Sequence, residues 1–197
     1  MNTQSVALIA IFAALAIALN IIRIPVLYWP GWFYTLCDIP VMVSFFIYGF
    51  RIAILVEVLH IAGQEIFFPA GPGGIVVYPM GLIFHFFMFL GIYLANKVIK
   101  HEVSSGGQFS EKKRVIYLTG FATALRGALM PIIDYGVLYS ILLPLVLGVT
   151  FPATYMFALI PAFVLFNVTS TLYLVPIAYF IARKTSTHLK IEKRFLI

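Results

Sequence analysis

The sequence predicts an all-α polytopic membrane protein, and three observations support this fold class. The 197-residue chain is 62% hydrophobic and only 10% charged, with a mean hydropathy of +1.04, whereas soluble domains carry about 25% charged residues. Its apolar runs are long and continuous, which favours helices over the alternating strands of a membrane barrel. Eleven of the thirteen Lys and Arg residues lie at Arg51, in 97–114 and in 183–194, as the positive-inside rule predicts.

The apolar runs predict six transmembrane helices in a single membrane domain, 1–197. The first run is long enough to span a bilayer. Residues 1–6 contain no Lys or Arg, whereas a cleaved signal peptide starts with a basic segment, so we expect this helix in the mature protein. We expect the helices at about residues 5–22, 39–50, 52–67, 76–96, 115–144 and 157–182.

A stripe of small residues follows one face of the first helix. Ala10, Ala14 and Ala18 recur at four-residue spacing, and such stripes allow another helix backbone to approach closely. The stripe fits either a docking surface for a second protein or ordinary packing within this chain.

The segment between the first two helices is a predicted loop rich in proline and aromatic residues. Trp29 and Trp32 suit the membrane interface, and they equally suit a lid over an aromatic ligand. Asp38 precedes Ile39 and Pro40, which predicts a helix N-cap followed by a first-turn proline.

The third helix carries an unusual concentration of polar side chains. Glu57, His60 and Gln64 stand at i, i+3 and i+7, so a helix places them on one face. A lipid-facing Glu or His is costly, and this face is therefore expected to point into the protein or a wet cavity. Gly73 and Gly74 then predict a flexible turn before the fourth helix.

The second half begins with a hydrophilic segment, 97–114, that predicts a cytoplasmic linker. The fifth helix carries Arg126 and Asp134, with Pro131 expected to kink it. Arg126 is expected to offset one of the acids, because an unpaired guanidinium in a bundle is costly. The sixth helix carries Asn167 and Ser170 in mid-span.

Charge distribution predicts the orientation. An even number of helices places both termini on one side, and the basic segments make that side cytoplasmic. The predicted outer loops, about 24–37, 67–75 and 145–156, contain no Lys or Arg. We therefore expect a multi-pass protein of the cell membrane with both termini in the cytoplasm.

Catalytic and ATP-binding motifs are absent from the sequence. It lacks a P-loop, the H-E-x-x-H pair and the G-x-S-x-G elbow. The single cysteine excludes a metal site built on a pair of cysteines. Glu57 and His60 supply only two potential ligands, which is weak evidence for a metal site. We expect no catalytic residues, no metal and no cofactor.

The polar groups at membrane depth, set among many aromatics, suit an uncharged or weakly charged ligand with a flat apolar part and hydroxyls. The alternative is a polar network that only holds the bundle together. Two further hypotheses remain: an intramembrane enzyme using Glu57, His60 and Asp134, and a stand-alone carrier driven by protons through Glu57 and Asp134.

The chain resembles the S components of energy-coupling factor (ECF) vitamin transporters, and within them the riboflavin-specific members. The resemblance covers most of the chain. It rests on short motifs: Ala10-x-x-x-Ala14, Asp38-Ile39-Pro40, Gly49 with Val56-Glu57, Gly73-Gly74 and Phe166-Asn167.

The resemblance implies that helices one to three form the face that docks a transmembrane coupling subunit, which two ATPases drive. It implies that helices four to six and the outer loops hold riboflavin or another vitamin as the transported ligand. Two departures touch that pocket: Ser170 replaces a usual Lys, and Asp134 replaces a frequent Asn. We expect ligand contacts from Glu57, His60, Gln64, Tyr78, Asp134, Asn167 and Ser170, under a lid containing Trp29, Trp32, Gly73 and Gly74.

Overall fold

A computed structural model describes residues 3–28, 32–69, 71, 74–105, 107 and 109–189. Within these residues the chain is almost entirely helical, with one short hairpin. The helices are α1 (Thr3–Leu19), α2 (Asp38–Tyr48), α3 (Phe50–Phe67), α4 (Gly74–Ser104), α5 (Glu111–Ile133), α6 (Leu143–Leu147) and α7 (Ala153–Leu189). A π-helical segment, Asp134–Leu142, joins α5 to α6, and strands β1 (Arg23–Pro25) and β2 (Phe33–Thr35) lie between α1 and α2.

The chain divides into two compact units, one formed by 1–69 with 176–197 and the other by 70–175. In the first unit α1, α2 and α3 pack against one another. Helix α2 is apolar on every side, and its residues from Pro40 to Ile47 are all buried, as expected for a central helix. Phe46 of α2 meets Tyr179 edge to face, with ring centroids 5.8 Å apart.

The second unit is built on the packing of α4 along α5. Its apolar core joins Val76 and Met80 of α4 to Met130 of α5 and Leu138 of the π-helical segment. Gly91 allows the closest approach, because a Cβ atom there would lie 2.5 Å from the Cα of Ala122.

Two glycines in this unit give a matched stability test. Gly91→Ala is expected to lower stability by about 1–3 kcal/mol, because the added methyl overpacks against backbone. A Cβ at Gly120 meets nothing within 4 Å, so Gly120→Ala is expected to leave stability unchanged or raise it by up to about 1 kcal/mol. Thermal unfolding in detergent measures both, and equal shifts would contradict the close α4–α5 contact.

Three helical stretches of the described chain are long and apolar enough to cross a membrane: Gly74–Ser104, Glu111–Leu147 and Ala153–His188. Helices α1 and α2 are apolar but shorter, and α3 carries Arg51, Glu57 and Glu65 along its 18 residues. An all-α fold with apolar, membrane-length helices is confirmed. Six spans and cytoplasmic termini stay predictions.

The segment predicted as a linker, 97–114, is helical for most of its length. Helix α4 continues to Ser104 and α5 begins at Glu111, where the Ser110 hydroxyl accepts a hydrogen bond from the Lys113 N–H at 3.3 Å. Lys and Glu are strong helix formers once outside the apolar layer, and Ser110 supplies an N-cap. For the same reason α7 runs past the predicted end at 182 to Leu189.

Two local predictions before α2 are also corrected. Residues 23–37 are not simply a loop, because β1 pairs with β2 in antiparallel register, with Ile24 opposite Tyr34. Three-residue strands leave too little alternation to detect. Asp38 is the first residue of α2, and Cys37 occupies the cap position without a side-chain hydrogen bond to the backbone of the helix. In the first turn the Asp38 carboxylate still complements the helix dipole.

The predicted fifth helix, about 115–144, is interrupted. It changes to π-helical hydrogen bonding at Asp134, three residues after Pro131. Because proline removes a backbone donor and crowds the preceding turn, it favours this irregularity.

Candidate ligand-binding site

A buried arginine organises the polar groups of the second unit. Arg126 of α5 is 2% exposed, and its Nε donates a hydrogen bond to Asn167 Oδ1 of α7 at 2.9 Å. Its Nη1 donates to the Met88 sulfur at 3.2 Å, and the guanidinium lies 5.2 Å from the Phe84 ring centroid. A buried charge requires such partners. Arg126 therefore ties α5 to both α4 and α7.

Asn167 is held in one orientation. It is fully buried, and its Nδ2 donates to the Phe163 carbonyl at 2.9 Å, which directs Oδ1 towards Arg126. The hydroxyls of Ser170 and Thr171 instead donate to carbonyls one turn earlier, Phe166 and Asn167, at 2.6 and 2.8 Å. The hydrogens of these two hydroxyls are therefore engaged by their own helix. Of these three α7 side chains, Asn167 is the one that hydrogen-bonds to Arg126.

Asp134 completes this group, which we call the Arg126 cluster: Arg126, Asp134 and Asn167. Asp134 is 0% exposed and lies beside Arg126 and Asn167. Neither carboxylate oxygen has a hydrogen bond of regular geometry within the part of the chain that the structure describes. The π-helical segment begins at this residue, and π-helical turns occur frequently at functional sites.

Aromatic rings lie next to the cluster. Tyr139 of the π-helical segment, which lies near Asp134, contacts the Phe163 ring at 5.3 Å and the Phe151 ring at 5.6 Å between centroids. Tyr135 stacks on Phe157 at 5.1 Å with 30° between the planes. This side of the second unit therefore offers aromatic surface beside donors and acceptors.

Three predicted site residues belong to the first unit. Glu57 and His60 are buried, and His60 Nδ1 lies 3.1 Å from Glu57 Oε2, so the predicted helical spacing does bring them together. Gln64 is half-buried. His60 Nε2 has no hydrogen-bond partner among the described residues. No group of three potential metal ligands occurs in that part of the chain.

The predicted lid is described only in part. Trp29 and Gly73 lie outside the described residues. Trp32 is half-buried, and its carbonyl accepts a hydrogen bond from the Val26 N–H at 2.9 Å. Gly74 is the buried first residue of α4, and Tyr78 is half-buried one turn later.

The alanine stripe lies on the outside of α1. Ala10, Ala14 and Ala18 are all exposed, whereas Ile9, Ala13 and Ala16 face the first unit's core. The second pair of the stripe, Ala14 and Ala18, also lines a shallow apolar groove of about 290 Å³ with Ile17, Phe67 and Phe68. Within the described residues of the first unit, packing therefore does not cover the stripe.

The single cysteine has a structural role. Burial raises the pKa of the Cys37 thiol well above its ordinary value, and the neighbouring Asp38 carboxylate adds to the shift. The thiol donates a hydrogen bond to Thr35 Oγ1 at 3.0 Å. A protonated, buried thiol is an inert packing group.

The apolar members of the site had no distinctive signal in the sequence. Phe84, Met88, Tyr139 and Phe163 lie among many aromatic and apolar residues, and only their contacts with the cluster distinguish them. The sequence had also left the partner of Arg126 open. That partner is the Asn167 amide, and Asp134 is the acid beside it.

Comparison with known proteins identifies the fold. No family model matches the sequence, and no curated protein matches it either. The chain is similar to a solved structure described as the structure and mechanism of the S component of a bacterial ECF transporter, with a TM-score of 0.63 and 18% identity. The similarity covers 96% of this chain and 99% of that one. The chain therefore has the fold of that S component along almost its whole length.

Proposed function

We propose that this protein is the substrate-binding membrane subunit of an ECF-type vitamin transporter. The observation that carries the proposal is the Arg126 cluster, a fully buried set of polar groups beside aromatic rings. Because one fold can serve several functions, the likeness to an S component supports the class of transporter, and the cluster supports binding of a small molecule.

Riboflavin or a related flavin is the proposed ligand. When Asp134 is ionised its charge balances that of Arg126, which favours a neutral ligand over an ion. Tyr139 and Phe163 offer contacts to a flat ring, and Asn167 and Asp134 offer partners for hydroxyls and ring N–H groups. A different vitamin of the same chemistry is the alternative.

Energy for uptake is proposed to come from other subunits. The sequence has no P-loop, and Ala10, Ala14 and Ala18 form an exposed small-residue stripe. Such a stripe allows a partner helix to approach closely. We assign it to a transmembrane coupling subunit that two ATPases drive.

Reconstitution in liposomes tests the division of labour. The chain alone is expected to bind riboflavin without transporting it, whereas uptake needs the coupling subunit, the ATPases and ATP. Transport by the chain alone under a proton gradient would identify a carrier that uses Glu57 and Asp134. Turnover of a substrate by the isolated chain would instead support an intramembrane enzyme.

A further inference from the structure

Arg23 is an exception in the charge distribution of the chain. Outside Arg51, 97–114 and 183–194, the sequence contains two Lys or Arg residues, Arg23 and Arg126. Arg126 is buried in the second unit, whereas Arg23 is exposed. Arg23 directly precedes a predicted outer loop, so the predicted orientation places it on the side that the positive-inside rule depletes of basic residues. Its position therefore calls for a local reason.

Two contacts hold the guanidinium of Arg23 near the ends of α1 and α3. Its Nε donates a hydrogen bond to the Asn20 carbonyl at 3.4 Å, and its central carbon lies 5.9 Å from the centroid of the Phe68 ring. Asn20 follows the last residue of α1, and Phe68 follows the last residue of α3. These contacts use Nε and the face of the guanidinium, so its Nη1 and Nη2 donors can bind a further group.

The apolar groove between α1 and α3 lies beside this guanidinium. Phe68, which contacts Arg23, also lines the groove, together with Ala14, Ile17, Ala18 and Phe67. The groove has a volume of about 290 Å³, and all of these residues belong to the first unit. A cation with available N–H donors therefore adjoins a groove lined by apolar side chains.

We propose that an anionic phospholipid occupies this site, with its phosphate on Arg23 and one acyl chain in the groove. A guanidinium presents paired N–H donors that match a phosphate, and an acyl chain makes van der Waals contacts with alanine and phenylalanine side chains. A free phosphate would leave the groove unused, and a lipid with a cationic headgroup would be repelled by Arg23.

This inference does not rest on the proposed function, because it requires only that the chain lies in a membrane. The groove shares Ala14 and Ala18 with the small-residue stripe. The lipid therefore belongs to the chain before a coupling subunit docks on that stripe.

Tryptophan fluorescence measures lipid binding at this site. The two tryptophans of the chain, Trp29 and Trp32, both lie between β1, which starts at Arg23, and β2. Bromine atoms on an acyl chain quench tryptophan only at short range, and the basic segments 97–114 and 183–194 contain no tryptophan. The full chain is reconstituted in phosphatidylcholine bilayers that contain increasing fractions of brominated phosphatidylglycerol or, for comparison, brominated phosphatidylcholine.

Wild type is expected to prefer phosphatidylglycerol over phosphatidylcholine about fivefold, as for one basic residue close to anionic lipid. Arg23→Gln is expected to remove this preference, whereas Arg51→Gln, at an exposed site near the start of α3, should keep it. Ala18→Phe fills the groove and is also expected to remove the preference. Ile11→Phe, at an exposed site of α1 that does not line the groove, should keep it.

Three outcomes overturn the inference. Equal quenching by the two brominated lipids in wild type would show that the site does not select an anionic lipid. A preference that survives Arg23→Gln would leave Arg23 only its contact with the end of α1, and one that survives Ala18→Phe would exclude the groove. Thermal unfolding and gel filtration verify that each variant is folded. If Arg23→Gln does not fold, the comparison of Ala18→Phe with Ile11→Phe decides.

Discussion

We expect Ala14→Trp to abolish vitamin uptake by the assembled transporter while the isolated chain still binds its ligand. Ala14 is exposed in the middle of the stripe formed with Ala10 and Ala18. An indole at a close helix–helix contact costs about 3 kcal/mol of overpacking, which weakens association with the coupling subunit by about 100-fold. Uptake in proteoliposomes and co-purification of the coupling subunit measure the two effects.

The control for this experiment is Leu15→Trp. Leu15 is also exposed on α1 but lies about 100° around the helix from Ala14, so its replacement is expected to leave uptake largely intact. If the Ala14→Trp transporter took up vitamin at the wild-type rate, the stripe would not be the docking surface.

Asn167→Ala is expected to produce the largest loss of ligand affinity in the second unit. It removes the acceptor of the 2.9 Å hydrogen bond from Arg126 and leaves a buried guanidinium with one partner fewer. The Asn167 amide is also a proposed ligand contact, and loss of about 2 kcal/mol of interaction with the ligand corresponds to about 30-fold in Kd. Fluorescence titration with the vitamin measures the change, and thermal unfolding reports the accompanying loss of stability.

Thr171→Val is the matched control on the same helix. Thr171 is equally buried, but its hydroxyl donates to the backbone of α7 itself. Its replacement is expected to leave vitamin affinity unchanged. If Asn167→Ala and Thr171→Val had the same small effect, the Arg126 cluster would be a structural network and not a ligand site.

Local sequence features predicted the parts of the structure that depend on short separations. Continuous apolar runs predicted the helices, and the i, i+3 spacing placed Glu57 against His60. Both follow from the period of a single helix. The spacing of Ala10, Ala14 and Ala18 likewise placed them on one face of α1, but it left open whether that face packs within the chain or docks a partner.

Long-range contacts were beyond such reasoning. Arg126 and Asn167 are 41 residues apart in sequence, and their contact depends on how α4, α5 and α7 pack. The same packing decides that Ser170 donates within its own helix whereas Asp134 lies beside Arg126 and Asn167. The helical continuation past residue 97 was missed because hydropathy marks the membrane layer and not the end of a helix.

The visible absorption spectrum of the protein tests the central claim, that the chain binds a flavin. The chain is purified in detergent from cells grown on rich medium, without added vitamin. We expect two absorption bands, one in the near-ultraviolet and one in the blue, from flavin held in the site. A folded, colourless protein that also takes up no added riboflavin would contradict the flavin assignment.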